Sequence, residues 1–362
     1  MRVAFCADVH IGNHGRGPLN CGINDRCDLT LKTLATALET AKDHGCEDFC
    51  ILGDLFHTVK PLPQIIKATQ DVFSNAPDIG VTISVGNHEQ SSTELGDHAL
   101  GPLSQAPYVL SVDTPTRIGF GETHHRRALL LPYYPRNSWK LIQQTLIEKG
   151  PCELLGLHVG LAFGDEPSYL LGDDSVDVHK LVKAAKEQGI KTILAGHWHK
   201  HQIKVIGGIT VAQIGALCPT GYGDAGFIQY GKLAIWDTKD DSLTWVEVPG
   251  PRFIKAIGLE EGRRRAKVIA GEVAKGNFAH FRWIVPEADL QEAQTDFDLW
   301  GFAGEVISDG VDAEVASREA AAEAKSSETI TEALDSYVAA LNLPDGVDHA
   351  WVLHRCREYL NG

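Results

Sequence analysis

The chain has 362 residues, 43% of them hydrophobic, enough for a large buried core and for one big α/β domain with a smaller companion. Its net charge of −15 argues against a free-standing nucleic-acid binder, which would carry a basic footprint. The opening MRVAFCADVH is too short an apolar run for a signal peptide, and no later run reaches membrane-spanning length, so a cytoplasmic protein with no membrane attachment is expected.

In chain order, short apolar runs alternate with helical patterns through the first half. Strands are predicted at Val3–Ala7, Phe49–Leu52, Val81–Val85, Ala128–Leu131, Leu154–Leu157 and Thr192–Ala195. Helices are predicted at Asp28–His44, where Leu29, Leu31, Leu34 and Leu38 lie near one face and Gly45 stands as terminator, at Pro61–Ser74, and at Val176–Gln188. From Lys200 to about Leu259 the pattern is strands without helices, ending in FIKAIGL, as for a second sheet packed on the first. The expected architecture is therefore α/β (α+β), a two-sheet β-sandwich flanked by helices over residues 1–257. A small α+β capping module is expected over 258–312, followed by a linker and a C-terminal helix pair over 313–362, with helices at Thr329–Leu341 and His349–Leu360. Residues 258–362 carry twice as many acidic as basic side chains, so most of the net negative charge lies outside the first domain. The eight cysteines form no CxxC pair and read as small core residues in a reducing compartment.

Five of the strand-like runs end in residues able to bind metal: Asp8-Val9-His10, Gly53-Asp54, Gly86-Asn87-His88-Glu89, His158, and Gly196-His197-Trp198-His199. Each alone is ordinary loop polarity, since GD and GN pairs are common turn residues. Together they are coherent, because ligands collect at the carboxyl ends of strands in open α/β sheets. D-x-H and H-x-H spacing on extended backbone would turn alternate side chains to one side. Imidazole mixed with carboxylate and amide oxygen suits manganese, iron or zinc better than calcium or magnesium. Seven ligands exceed one tetrahedral ion and suffice for two if a carboxylate bridges. Two ions about 3.5–4 Å apart can clamp a phosphoryl group and generate hydroxide at neutral pH. The alkoxide that leaves needs a proton, and a histidine near the ions but not bound to them is the natural donor.

D-x-H, G-D, G-N-H-[DE], H and G-H-x-H in this order resemble the calcineurin-like metallophosphoesterase superfamily. More narrowly, GDLFHTVKP (53–61), ADVHIG and IGALCPTGYGDAGFIQYGKLAIWD (214–237) resemble the SbcD-type nucleases of DNA double-strand-break repair. The resemblance covers roughly residues 1–250. It implies that Asp8, His10 and His199 hold one ion and that Asn87, His158 and His197 hold a second, with Asp54 bridging. His88 is then the proton donor, and His57 is the extra histidine of the nuclease branch, bearing on exonuclease action. It further implies two manganese ions, DNA as substrate for 3'-5' exonuclease or endonuclease cleavage, and homodimerisation through helices near Pro61–Ser74 and Glu94–Leu103. An SbcC-type coiled-coil ATPase is the implied partner, binding the C-terminal helices. The short chain is compatible with a phage origin.

The sequence leaves other readings to weigh. Gly221–Gly226 satisfies G-x-G-x-x-G but precedes a β pattern, so it is no dinucleotide fingerprint, and there is no Walker A sequence. Arg263–Arg265 could contact a DNA backbone or be a solvated helix face. His14 and His98 read as loop polarity, His201 extends HWHKH but lies outside the G-H-x-H pattern, and Asn13 has no assigned role. A metallophosphatase or cyclic-nucleotide phosphodiesterase could use the same ligands on a small substrate, and a metal-stabilised scaffold would have no need of His88.

Overall fold

A computed structural model describes residues 1–14, 19–92, 96–103, 106, 108–120, 126–135, 138–164, 175–222, 230–275 and 278–310. The expected helices of 313–362 lie outside these residues. The elements in order are β1 (Arg2–Cys6), α1 (Asp25–Asp43), β2 (Cys46–Leu52), α2 (Pro63–Ser74), β3 (Gly80–Ser84), β4 (Val109–Val112), β5 (Thr116–Phe120) and β6 (Arg126–Leu131). There follow α3 (Ser138–Lys149), β7 (Leu154–His158), β8 (Gly160–Ala162), β9 (Ser175–Asp177), α4 (Val178–Glu187), β10 (Thr192–Gly196), β11 (Gln202–Ile206) and β12 (Ile209–Gln213). The described chain ends with β13 (Gly231–Asp237), β14 (Ser242–Val248), β15 (Arg252–Ile257), α5 (Leu259–Ala274), β16 (Ala279–Val285), α6 (Leu290–Trp300) and β17 (Ala303–Ser308).

Two six-stranded sheets result, ordered β14-β13-β1-β2-β3-β4 and β11-β12-β10-β7-β6-β5. Their central strands are parallel: β1, β2 and β3 in one, β6, β7 and β10 in the other. Alternation within each strand builds three apolar layers. Val3, Phe5, Cys50 and Leu52 meet Leu130, Leu154 and Leu194 between the sheets. Ala4, Cys6, Phe49 and Ile51 turn outward onto α1 and α2, while Leu129, Leu155, Leu157 and Ile193 turn outward onto α3 and α4. Both faces of the central strands are thus covered, which is why their sequences read as unbroken apolar runs.

The helix predicted from Asp28 begins earlier, at Asp25, because Asn24 caps it by accepting a hydrogen bond from the Cys27 amide (2.9 Å). No α-helix forms over the described residues 96–103, where turns lead to a 3-10 turn at Leu103, against the expectation of a helix near Glu94–Leu103. Gly96 sits at φ +95°, and Gly101-Pro102 follow in turns. FIKAIGL does not join the sandwich: β15 pairs in parallel with β16, and β16 with β17, in a separate three-stranded sheet. α5 and α6 cover one face of that sheet around Ile254, Phe281, Trp283 and Phe297. Arg263–Arg265 are consumed within this unit. Arg263 pairs with Glu292 and Asp296, and Arg264 and Arg265 with Glu261. Six of the seven described cysteines are buried and none is in a disulfide. Among the described residues no helix is long and apolar enough to cross a membrane.

Candidate metal centre

Parallel pairing sends the carboxyl ends of β1, β2 and β3 to one edge of the first sheet, and those of β7 and β10 to the matching edge of the second. The loops after β1 and β2 then zip together by backbone bonds: Asp8 N to Gly53 O (3.1 Å), His10 N to Asp54 O (2.9 Å) and Ile11 N to Leu55 O (2.7 Å). All seven residues expected as ligands are brought together here. His10 Nε2 stands 2.9 Å from His199 Nε2 and 3.8 Å from Asp54 Oδ2. His158 Nε2 stands 3.3 Å from the same Asp54 oxygen and 2.9 Å from Asn87 Oδ1, and His197 Nδ1 is 3.0 Å from that amide oxygen. Asp54 Oδ2 therefore lies between the two histidine groups. Asp8, His10 and His199 form one set of convergent donor atoms, and Asp8, Asp54 and His158 form another.

The side chains do not converge through extended backbone, as D-x-H and H-x-H spacing had suggested. Asp8, His10, Asp54 and His197 have φ of +53°, +54°, +55° and +93°. Left-handed backbone at a residue with a Cβ costs on the order of 1–3 kcal/mol and persists where neighbours over-determine it. Those neighbours are visible. The His197 amide donates to the Asp8 carboxylate (3.0 Å), and the His88 amide donates to Asp54 Oδ1 (2.9 Å). Gly53 (φ +85°) and Gly196 admit the rings, since a Cβ on Gly53 would lie 2.1 Å from His158 Nδ1.

The donor chemistry fits cations. His158 Nδ1 donates its proton to Leu52 O (2.7 Å), which leaves Nε2 facing two oxygen acceptors, Asp54 Oδ2 and Asn87 Oδ1. Only a proton on Nε2 or a cation can sit among those lone pairs. Burial opposes charging this ring, but Asp54 and then Asp8 outweigh it and hold its pKa up at about 9. Burial would likewise raise Asp54, yet His158, His10 and His88 pull its carboxyl well below the usual range. Asp8 is raised, chiefly by burial. His10 is lowered, also chiefly by burial, which keeps it neutral with lone pairs to give.

His57 and His88 stand beside this cage. Their rings are stacked, with centroids 5.2 Å apart, and His88 Nδ1 donates to the His57 carbonyl (2.8 Å). The His88 ring is 4.7 Å from that of His10. His57 has its pKa lowered to about 4, first by burial and then by His14. His14, set aside as loop polarity, packs on His57 (centroids 4.2 Å) and bonds the His10 carbonyl through Nε2 (2.8 Å). Asn13 ties the same loop down through Gly22 O and the Asn24 amide, each at 2.8 Å. His98 and His201 lie elsewhere, against Asp113 and Trp245 respectively.

Two residues without a part in the sequence reading have one in the structure. Glu89, fully buried, accepts from the amides of Asp54 (3.1 Å), Phe56 (2.7 Å) and Gly86 (2.8 Å), so one carboxylate joins the loops after β2 and β3. Burial and the Asp54 charge push its pKa to about 8 against the bonds from the Phe56 and Gly86 amides. Its signal was the acidic residue closing G-N-H-E. Tyr133 stacks on His197 (centroids 5.8 Å) and meets His158 edge-on; nothing in its local sequence marked it.

At pH 7, below the His158 value of about 9, a cation entering the cage must displace the Nε2 proton. Divalent-ion binding is therefore expected to release a proton at pH 7 and to tighten by about tenfold per unit as pH rises towards 9. Calorimetry in buffers of different ionisation enthalpy measures this, and identical heats in every buffer would contradict it. Glu89→Gln turns an amide N–H₂ onto backbone N–H groups. It should cost about 1–3 kcal/mol of stability and weaken metal binding about 10–100-fold. Wild-type metal affinity in that variant would remove Glu89 from the account.

No curated protein sequence matches the chain. Among solved structures, TT1561 of Thermus thermophilus is 12% identical, with 68% of this chain and 98% of that one covered at a TM-score of 0.43. A dimetal phosphatase from Danio rerio is 11% identical (68% and 95%, TM-score 0.44). Vps29 of Entamoeba histolytica, complexed with zinc, is 15% identical (68% and 98%, TM-score 0.30). The family assignment rests on sequence: residues 1–201, more than half the chain and the whole of the metal cage, match the model for calcineurin-like phosphoesterase. The chain belongs to the calcineurin-like phosphoesterase family of metal-dependent phosphoester hydrolases.

Proposed function

We propose that this hydrolase is a two-ion DNA nuclease subunit that cuts phosphodiester bonds with manganese and works with an SbcC-type ATPase. The observation that carries the reading is the placement of His57, the residue matching the nuclease branch, stacked on His88 at the rim of the cage. In this reading Asp8, His10 and His199 would hold one ion and Asn87, His158 and His197 the other, with Asp54 placed to serve both. Bound ions supply Lewis-acid charge to the phosphoryl oxygens and activate water at neutral pH.

The chain's own residues do the rest. With its Nδ1 proton committed to the His57 carbonyl, His88 keeps Nε2 as the atom that gives a proton to the departing alkoxide. His57 fixes that ring from one side. Asp8 and Asp54, by accepting the His197 and His88 amides, hold the cage and the proton donor in one register. The negative charge of the chain supports a division of labour in which a partner supplies DNA affinity.

Incubation with Mn²⁺, linear duplex DNA and a phenyl phosphodiester tests the reading. Wild type should cleave DNA, and His88→Ala should retain both ions yet lose about 10²–10⁴-fold in rate. Loss of metal from His88→Ala would sink its assignment as acid. Turnover of small esters without DNA cleavage, even with a partner ATPase, would favour the phosphatase or cyclic-nucleotide reading.

A further inference from the structure

We infer that His10, His57 and His88 form an alternative cation position, built from imidazoles alone, that captures a borderline-soft ion such as Ni²⁺ or Zn²⁺ and thereby inhibits the enzyme. One ring nitrogen from each of the three lies within 4.8 Å of the other two. The His10 ring meets both others near edge-on, at 5.5 Å from His57 and 4.7 Å from His88. His10 is 1% exposed, and its Nδ1, like Nδ1 of His57, is buried without a hydrogen-bond partner among the described residues. Nε2 of His88 is spared because Nδ1 is committed to the His57 carbonyl.

The composition of the set decides its preference. Three imidazoles with no carboxylate suit nickel, copper and zinc, whereas Mn²⁺ is better served where an aspartate contributes. The neighbouring set of Asp8, His10 and His199 offers that carboxylate and shares His10. A neutral imidazole carries one lone pair, its other nitrogen holding the proton, so His10 serves only one of the two sets at a time and their occupancy is mutually exclusive. An ion on His88 Nε2 also takes the lone pair on which a transferable proton would sit. The inhibitory consequence rests on the proposed role of His88, while the binding itself does not.

The full chain is loaded with Mn²⁺ and titrated with Ni²⁺, following Ni²⁺ uptake by calorimetry, free Mn²⁺ by electron paramagnetic resonance, and cleavage of a phenyl phosphodiester. Uptake should release Mn²⁺ and suppress turnover. His57→Leu and His88→Gln should each weaken Ni²⁺ uptake by roughly tenfold or more, with Mn²⁺ binding retained as evidence of folding, while His199→Ala leaves Ni²⁺ uptake in place. Unchanged Ni²⁺ affinity in both His57→Leu and His88→Gln overturns the proposal, as does its loss in His199→Ala or uptake without Mn²⁺ release. If His57→Leu fails to fold, His88→Gln decides alone. Because uptake is read separately from DNA cleavage, failure of the nuclease reading leaves the result on this position standing.

Discussion

Lone pairs crowd together where five strands end, and the fold is organised around keeping them there. His158 presents Nε2 to Asp54 and Asn87, His197 presents Nδ1 to the same amide oxygen, and His10 and His199 set Nε2 against Nε2 at 2.9 Å. Such an arrangement is unfavourable without protons or cations to fill it, so the surrounding chain must hold it by force of structure. Two parallel strand sets, one in each sheet, bring the ends to one edge, and the inter-sheet layer of Phe5, Leu52, Leu154 and Leu194 fixes the distance between them. Buried acceptors do the finer work: Glu89 for the loops after β2 and β3, Asp8 for His197, and Leu52 O for His158.

The backbone records the same tension. Of the six non-glycine residues with positive φ among those described, four are in the cage. Local conformational preference is given up for side-chain direction, in keeping with strain accumulating at functional sites and being offset elsewhere. The offset comes from a sandwich whose central strands are buried on both faces. This explains why the ligands ride on loops immediately after rigid strands: a longer connection would let the charged groups spread apart.

Much of this was legible in the sequence, for identifiable reasons. The parallel strands are buried on both faces, so Val3–Ala7 or Thr192–Ala195 declare themselves as apolar runs, and each ligand follows such a run. What escaped lacks that signal. β4 and β5 are short strands near the sheet edge, β8 and β9 have three residues each, and α3 carries polar residues on much of its surface. The local pattern groups β15 with its neighbours in sequence, yet it pairs with β16, beyond the whole of α5, and no local pattern encodes a partner that distant. The seven ligand positions could be named from motif order, but not the left-handed turns that aim them. Glu89 was visible as a letter of its motif, while its three amide bonds depend on two loops meeting in space.

The chain's acidity and its arginines bear on how a substrate is held. Arg263–Arg265 looked like a candidate backbone-binding run, and each is instead paired with an acidic residue of its own unit. In the proposed nuclease reading, DNA affinity would be supplied by the cage and a partner rather than by these three arginines. Diffraction at the manganese absorption edge from crystals grown with Mn²⁺ reads the cage itself. Two anomalous peaks are expected, one among Asp8, His10 and His199 and one among Asn87, His158 and His197, with Asp54 between them. A single peak out of reach of Asp54, or none in the cage, would contradict a two-ion cage.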